Sequence, residues 1–119
     1  MKLILPGNLT DLNTYINAER TNRFRGAKIK KDETERVYWE CKKQKLKLID
    51  HEQILTFYWY CKDMKKDPDN IAFAKKFILD GMRDAGVLKN DGWKQITGFY
   101  DMFFVDKENP RVEVEANFV

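Results

Sequence analysis

The sequence predicts a single α+β domain over residues 1–119, with a mixed β-sheet of about four strands packed with helices. Three observations predict it. Gln53 to Cys61 (QILTFYWYC) is an unbroken run rich in β-branched and aromatic residues, which fit a pleated, buried surface. Ile71, Ala74, Ile78, Met82 and Ala85 recur at three- and four-residue steps, the apolar stripe of a helix. Arg111 to Glu115 alternates polar and apolar, the period of a half-buried strand. A chain of 119 residues, 43% hydrophobic and 13% aromatic, is long enough for one core and too apolar to stay disordered.

The elements follow in order. Residues 1–5 read as a short strand stopped by Pro6-Gly7. Asn8, Thr10 or Asp11 can cap a helix that starts with Leu12, Tyr15, Ile16 and Glu19. Gly26 is its weak point, and Thr21 to Lys31 is either helical or a loop. Lys30 to about Lys43 is helical again, with Thr34, Val37, Tyr38 and Cys41 on one face. The two parts form a hairpin or one long bent helix. The next strand, Gln53 to Cys61, is bulky on both sides, so it should be central and covered on both faces. Pro68 fixes φ and removes a donor, which keeps the residues before it out of a helix. Asp69 or Asn70 can cap the helix from Ile71 to Ala85, and Gly86 can end it. After the turn Lys89-Asn90-Asp91-Gly92, Lys94 to Val105 reads as a strand. Asp106 to Pro110 is a hairpin-like loop before the last strand. The order is β-α-(α)-β-α-β-β.

Several classes of function are disfavoured. No apolar run approaches the roughly 20 residues of a membrane span, and Met1 to Gly7 is too short for the apolar part of a signal peptide. The expected location is the cytoplasm, with no membrane partner. Cys41 and Cys61 lack metal-ligand spacing and should be reduced and partly buried. His51 is the one histidine and reads as a loop or surface residue. No Ser-His, Cys-His or glycine-rich phosphate loop is present.

Charge is unevenly placed. Arg20 to Lys47 holds eleven basic and four acidic residues, a local +7 against a total of +3. The rest of the chain is therefore acidic, at −4. Such a division suits a polyanion-binding surface beside a cation site, although a solvated helix face has the same composition. Guanidinium forks at Arg20, Arg23 and Arg25 match phosphate oxygens. Asp67 and Asp69 lie just beyond the end of the Gln53–Cys61 strand, and Asp91 precedes the next strand. If the strands are neighbours, the three carboxylates meet at one end of the sheet. Three hard oxygen donors suit Mg²⁺ or Mn²⁺, with water and phosphate completing the shell. Asp69, Lys76 and Asp80 are spaced seven and eleven residues apart, which returns them to one helix face. By itself, the Asp-x-Asp spacing is a weak signal, since such turns are common and more often hold caps and surface acids.

Three stretches together resemble the RusA-type Holliday junction resolvases, the crossover junction endodeoxyribonucleases. These are Lys65-Lys66-Asp67-Pro68-Asp69-Asn70, then Lys76-Phe77-Ile78-Leu79-Asp80-Gly81, then Asn90-Asp91-Gly92-Trp93-Lys94-Gln95-Ile96. The likeness covers residues 53–115, and Leu12 to Lys43 is similar to a phage-associated branch of that family. The resemblance implies a homodimer that resolves four-way junctions and other branched DNA in recombination and repair. It implies a phage or prophage product at work in a bacterial cytoplasm. It also implies that Asp67, Asp69 and Asp91 bind Mg²⁺ (or Mn²⁺) and are catalytic, with Lys76 as the catalytic lysine. Three additional residues separate Asn70 from that lysine, and Lys75 is the alternative. Asn90 stands where the family commonly has an acid. Arg20, Arg23, Arg25, Lys28, Lys30, Lys31, Lys65 and Lys66 would then contact DNA backbone. The rival expectations are a non-catalytic branched-DNA-binding protein with an unused acidic cluster, and a protein-interaction domain.

Overall fold

The chain runs β1 (Lys2–Pro6), α1 (Leu12–Thr21), α2 (Arg23–Lys43), β2 (Gln53–Cys61), α3 (Pro68–Ala72), α4 (Lys75–Asp84), β3 (Ile96–Val105) and β4 (Arg111–Phe118). The computed structural model describes residues 1–118. The architecture is the predicted α+β class, with a four-stranded mixed sheet in the order β1-β4-β2-β3. Strand β4 is antiparallel to both β1 and β2, and β3 is parallel to β2. Alternation along the strands places Leu3, Leu5, Leu55, Phe57, Trp59, Val112 and Val114 on one buried face. Val37 and Cys41 of α2 and Phe77, Ile78 and Met82 of α4 complete that core. Burial of each large side chain contributes about 1.5–3 kcal/mol. No helix among the described residues is long and apolar enough to cross a membrane.

Strand β2 is central, as predicted, but helices cover only one of its faces. Ile54, Tyr58 and Tyr60 point the other way, are half-buried, and lie outside the core. Their bulk is sheltered within the sheet. Phe104 stacks against Tyr58 and Tyr60, Arg111 lies 3.8 Å above the Tyr60 ring, and the Tyr58 hydroxyl donates to Glu115 at 3.3 Å. Cross-strand stacking therefore replaces a second helical layer.

The loop 106–110 is not a hairpin between paired strands. It carries the chain across the end of β2, so β4 lies between β1 and β2 and β3 is left at the edge. The crossing is tied down by Asp106 N–H donating to Cys61 O (2.8 Å) and Gly7 N–H donating to Pro110 O (2.9 Å).

The break between the first two helices falls at Asn22, not at Gly26. Asn22 is extended (φ −165°, ψ 122°); its N–H donates to Ala18 O, and its side chain accepts from Phe24 N–H. It thus ends α1 and caps α2 together. Gly26 is buried inside α2, where a Cβ would lie 2.4 Å from Glu19 Cγ; its absence lets the two helices close.

The predicted helix from Ile71 to Ala85 is likewise divided. Its hydrogen bonds tighten to three-residue steps at Ala74 to Ile71, Lys76 to Phe73 and Phe77 to Ala74. The tightened turn sets both Phe73 and Phe77 against Tyr15, with ring centroids 5.4 and 5.9 Å away. The extra residues after Asn70 are taken up here, so regular spacing does not carry from Asp69 to Lys76. Gly86, at φ +77°, supplies the left-handed residue after α4.

Asp11 caps α1, accepting from the Thr14 hydroxyl (2.6 Å) and from Lys66 Nζ (3.2 Å). Burial opposes its ionisation, but the bonds from Thr14 and Lys66 outweigh burial and hold the carboxyl at about 2, below the ordinary 3.8. A depressed pKa stabilises the fold fully above the ordinary value and is lost as pH falls toward the folded one. Urea unfolding should therefore show roughly 2 kcal/mol of stability lost between about pH 4 and pH 2. Asp11→Asn, which keeps a capping oxygen without the charge, should flatten that part of the profile.

Candidate functional site

The carboxyl end of β2 leads through Lys62 to Lys66 into α3. Pro68 occupies the first turn of α3, and Asp67 stands at the N-cap in extended conformation (φ −70°, ψ 152°). Its carboxylate makes no capping bond. Asp69 lies in the same turn, and Asp69 Oδ1 accepts from Asn70 N–H at 2.9 Å. Asn70 caps a different segment, its Oδ1 accepting from Asn13 N–H of α1. Asp67 and Asp69 are both exposed. Lys65 and Lys66 precede them, and Lys66 is drawn toward Asp11. Asp67 also lines a cavity of about 300 Å³ together with Lys66, Pro68, Phe103 and Val105, at the carboxyl end of β3.

Asp91 belongs to a second set. Strands β2 and β3 are neighbours, but they are parallel, with Gln53 beside Ile96 and Cys61 beside Val105. Asp67 and Asp69 follow the carboxyl end of β2, whereas Asp91 precedes the amino end of β3. Asp91 lies 4.0 Å from Lys76 Nζ and 3.9 Å from an Arg83 nitrogen. The same two cations flank Asp80, which is buried, at 3.2 and 3.7 Å. The predicted Lys76–Asp80 face therefore holds on α4, and the structure brings Lys76 to Asp91. Among the described residues, no group of three or more His, Cys, Asp or Glu side chains is placed to hold a metal ion.

The two lysines that sequence spacing left open have different surroundings. Lys75 Nζ donates to Asp101 at 2.6 Å and sits over the rings of Phe57 (5.2 Å) and Phe99 (4.4 Å). Asp101 also accepts from Trp59 Nε1 at 2.9 Å. That lysine is committed to joining α4 to the sheet. Lys76 is the exposed one, with 55% of its side chain in contact with solvent.

Arg20, Arg23, Arg25, Lys28, Lys30 and Lys31 are all exposed on α1 and α2. Lys28 pairs with Asp32 at 2.7 Å, and Arg23 lies 5.1 Å from the Phe24 ring. Lys30 and Lys31 share a groove with Asp80, Arg83 and Asp84. The basic stretch thus runs alongside the set that contains Lys76 and Asp91. Sequence reasoning missed Arg83, although Lys76, Asp80 and Arg83 are separated by four and three residues on one helix. It also missed the Trp59–Asp101–Lys75 network, which is formed only by the β2–β3 pairing. Cys41 is buried and its thiol is pushed up to about 11 by that burial, so it is no nucleophile.

Asp67 and Asp69 fit Mg²⁺ or Mn²⁺ as a pair. Both are hard oxygen donors open to solvent, and Mg²⁺ is commonly held by one or two carboxylates with water and substrate phosphate. Asp91 does not join them within one chain. Compared with protein-family models and with curated proteins, the chain matches none.

Proposed function

We propose that this protein is a Mg²⁺-dependent, structure-specific endodeoxyribonuclease that cuts four-way junctions and other branched DNA, acting as a homodimer in a bacterial cytoplasm. The observation that carries this reading is the Asp67/Asp69 pair. Two exposed carboxylates stand beyond the carboxyl end of the central strand, and the one at the helix cap is not used for capping. The sequence resemblance to the RusA-type resolvases supplies the reaction class.

Asp67 and Asp69 would hold the ion, which when bound supplies a water of lowered pKa and neutralises charge on phosphorus. Lys76 is oriented by Asp80 and offers its ammonium to a phosphate oxygen or the leaving oxygen. Lys65 and Lys66 flank the acids. The exposed cations of α1 and α2 grip the DNA backbone, which gives salt-dependent binding with little base readout. Replacing Arg23 and Lys31 with alanine should weaken junction binding. Each lost phosphate contact should lower the slope of log K against log salt by about 0.9, measured by mobility shift over a salt series.

The direct test is incubation of the purified chain with a labelled four-way junction, with Mg²⁺ or with EDTA. Paired, symmetric, metal-dependent nicks are expected. The separation of Asp91 from Asp67 and Asp69 favours one rival, a branched-DNA-binding protein without cleavage activity. Tight binding with no nicks at any Mg²⁺ or Mn²⁺ concentration would establish that rival.

A further inference from the structure

Trp93 is 93% exposed, more than any other large apolar side chain among the described residues. About 200 Å² of indole surface therefore stands in water. The ring is not carried on a loose segment. Gln95 N–H and Ile96 N–H both donate to Gly92 O, at 3.1 and 2.9 Å, and close a turn around Trp93. Gln53 N–H donates to Gln95 O at 2.8 Å and ties that turn to β2. Beside the ring lies an open hollow of about 380 Å³, lined by Trp93, Ile96 and Thr97. Ile96 is buried and gives the hollow an apolar wall.

We propose that Trp93 is a stacking platform for an unpaired base at the branch point of DNA. The proposal rests on the branched-DNA reading above and gives it a residue that recognises the branch. A partner protein would need a continuous apolar patch of at least a few hundred Å². The other exposed residues of the turn are Lys89, Asn90, Lys94 and Thr97, so the indole stands alone among polar and cationic side chains. A π-face set among ammonium groups suits a base joined to its phosphates. Asp91, two residues before Trp93, lies 4.0 Å from Lys76 Nζ. Two residues span at most ~7 Å, and a stacked strand advances ~3.4 Å per nucleotide. A strand whose phosphate meets Lys76 therefore brings to the ring a base about two or three nucleotides away. Continuous duplex keeps its bases stacked and withholds their faces, whereas unpaired bases at a branch are released at least cost. Trp93 would thus favour branched DNA over plain duplex, a distinction that cations gripping the backbone make only weakly.

The test is fluorescence anisotropy of labelled DNA with the full chain in EDTA, so that binding is read apart from cleavage. The substrates are a four-way junction and a continuous duplex of the same length. Trp93→Ala should weaken junction binding about five- to a hundredfold and duplex binding less than about twofold, with circular dichroism unchanged. The slope of log K against log salt should stay as in wild type, because no phosphate contact is lost. Trp93→Phe, which keeps a π-face, should recover most of the affinity. No loss with Trp93→Ala, or an equal loss on both substrates, would overturn the platform and leave the branched-DNA reading standing. A wild-type chain that binds neither substrate would overturn both. A DNA-free chain whose sedimentation changes with Trp93→Ala would assign the ring to a second copy and overturn the platform.

Discussion

Asp69→Asn should lower metal-dependent cleavage of a four-way junction on the order of a hundredfold or more, while junction affinity stays within about twofold. The substitution keeps the size of the side chain and removes one anionic donor. It does not touch Arg20, Arg23, Arg25 or the lysines of α2, the proposed contacts to DNA backbone. Asp69 is exposed in the first turn of α3 and supports no buried contact, so the fold should tolerate the change. Single-turnover cleavage and mobility shift on the same preparation separate the two effects. Full cleavage by the variant would remove Asp69 from the proposed site. Lys76→Ala offers a graded comparison, and Lys75→Ala should lower thermal stability, because Lys75 holds Asp101.

Gly81→Ala should lower stability by about 2–4 kcal/mol, the scale of an overpacked core after the gain in helix propensity is deducted. Gly81 is buried on α4 where that helix crosses α2. A Cβ there would stand 2.5 Å from Val37 Cβ and 2.8 Å from the Thr34 carbonyl oxygen. Trimming Val37 to alanine would remove its Cγ1, 2.6 Å away, but would leave its Cβ, and the Thr34 oxygen is helix backbone. Adding Val37→Ala should therefore restore only part of the loss. Thermal unfolding followed by circular dichroism would register the change as a fall of roughly 10 °C or more. A melting temperature equal to that of wild type would mean that the two helices separate at little cost.

Local physics made most of the elements legible in the sequence. The β2 run, the Val37/Cys41 face of α2, the Gly86 stop and the alternation of β4 each follow from residues close in the chain. Side-chain competition placed the breaks elsewhere. Asn22 outdoes Gly26 because one side chain both closes and opens a helix, and Phe73 and Phe77 tighten the α3–α4 junction to reach Tyr15. The error with most bearing on function concerned strand direction. Asp67 and Asp69 were legible as a pair because only Pro68 stands between them. Whether Asp91 joins them depends on the sense of β3 relative to β2, a long-range pairing that leaves no local mark.

The parallel sense of β2 and β3 also has a symmetry consequence. If the two-fold axis of the proposed homodimer passes through the edge strand β3, it reverses that strand, so the carboxyl end of each β3 would lie beside the amino end of the other. Asp67 and Asp69 belong to the first end, and Asp91 to the second. Acids that one chain keeps apart would be brought toward one another twice in a pair. In genetic terms, lesions at the two ends would complement. A mixture of Asp69→Asn and Asp91→Asn chains would form heterodimers with one undamaged set, whereas sets confined to single chains would each carry a lesion.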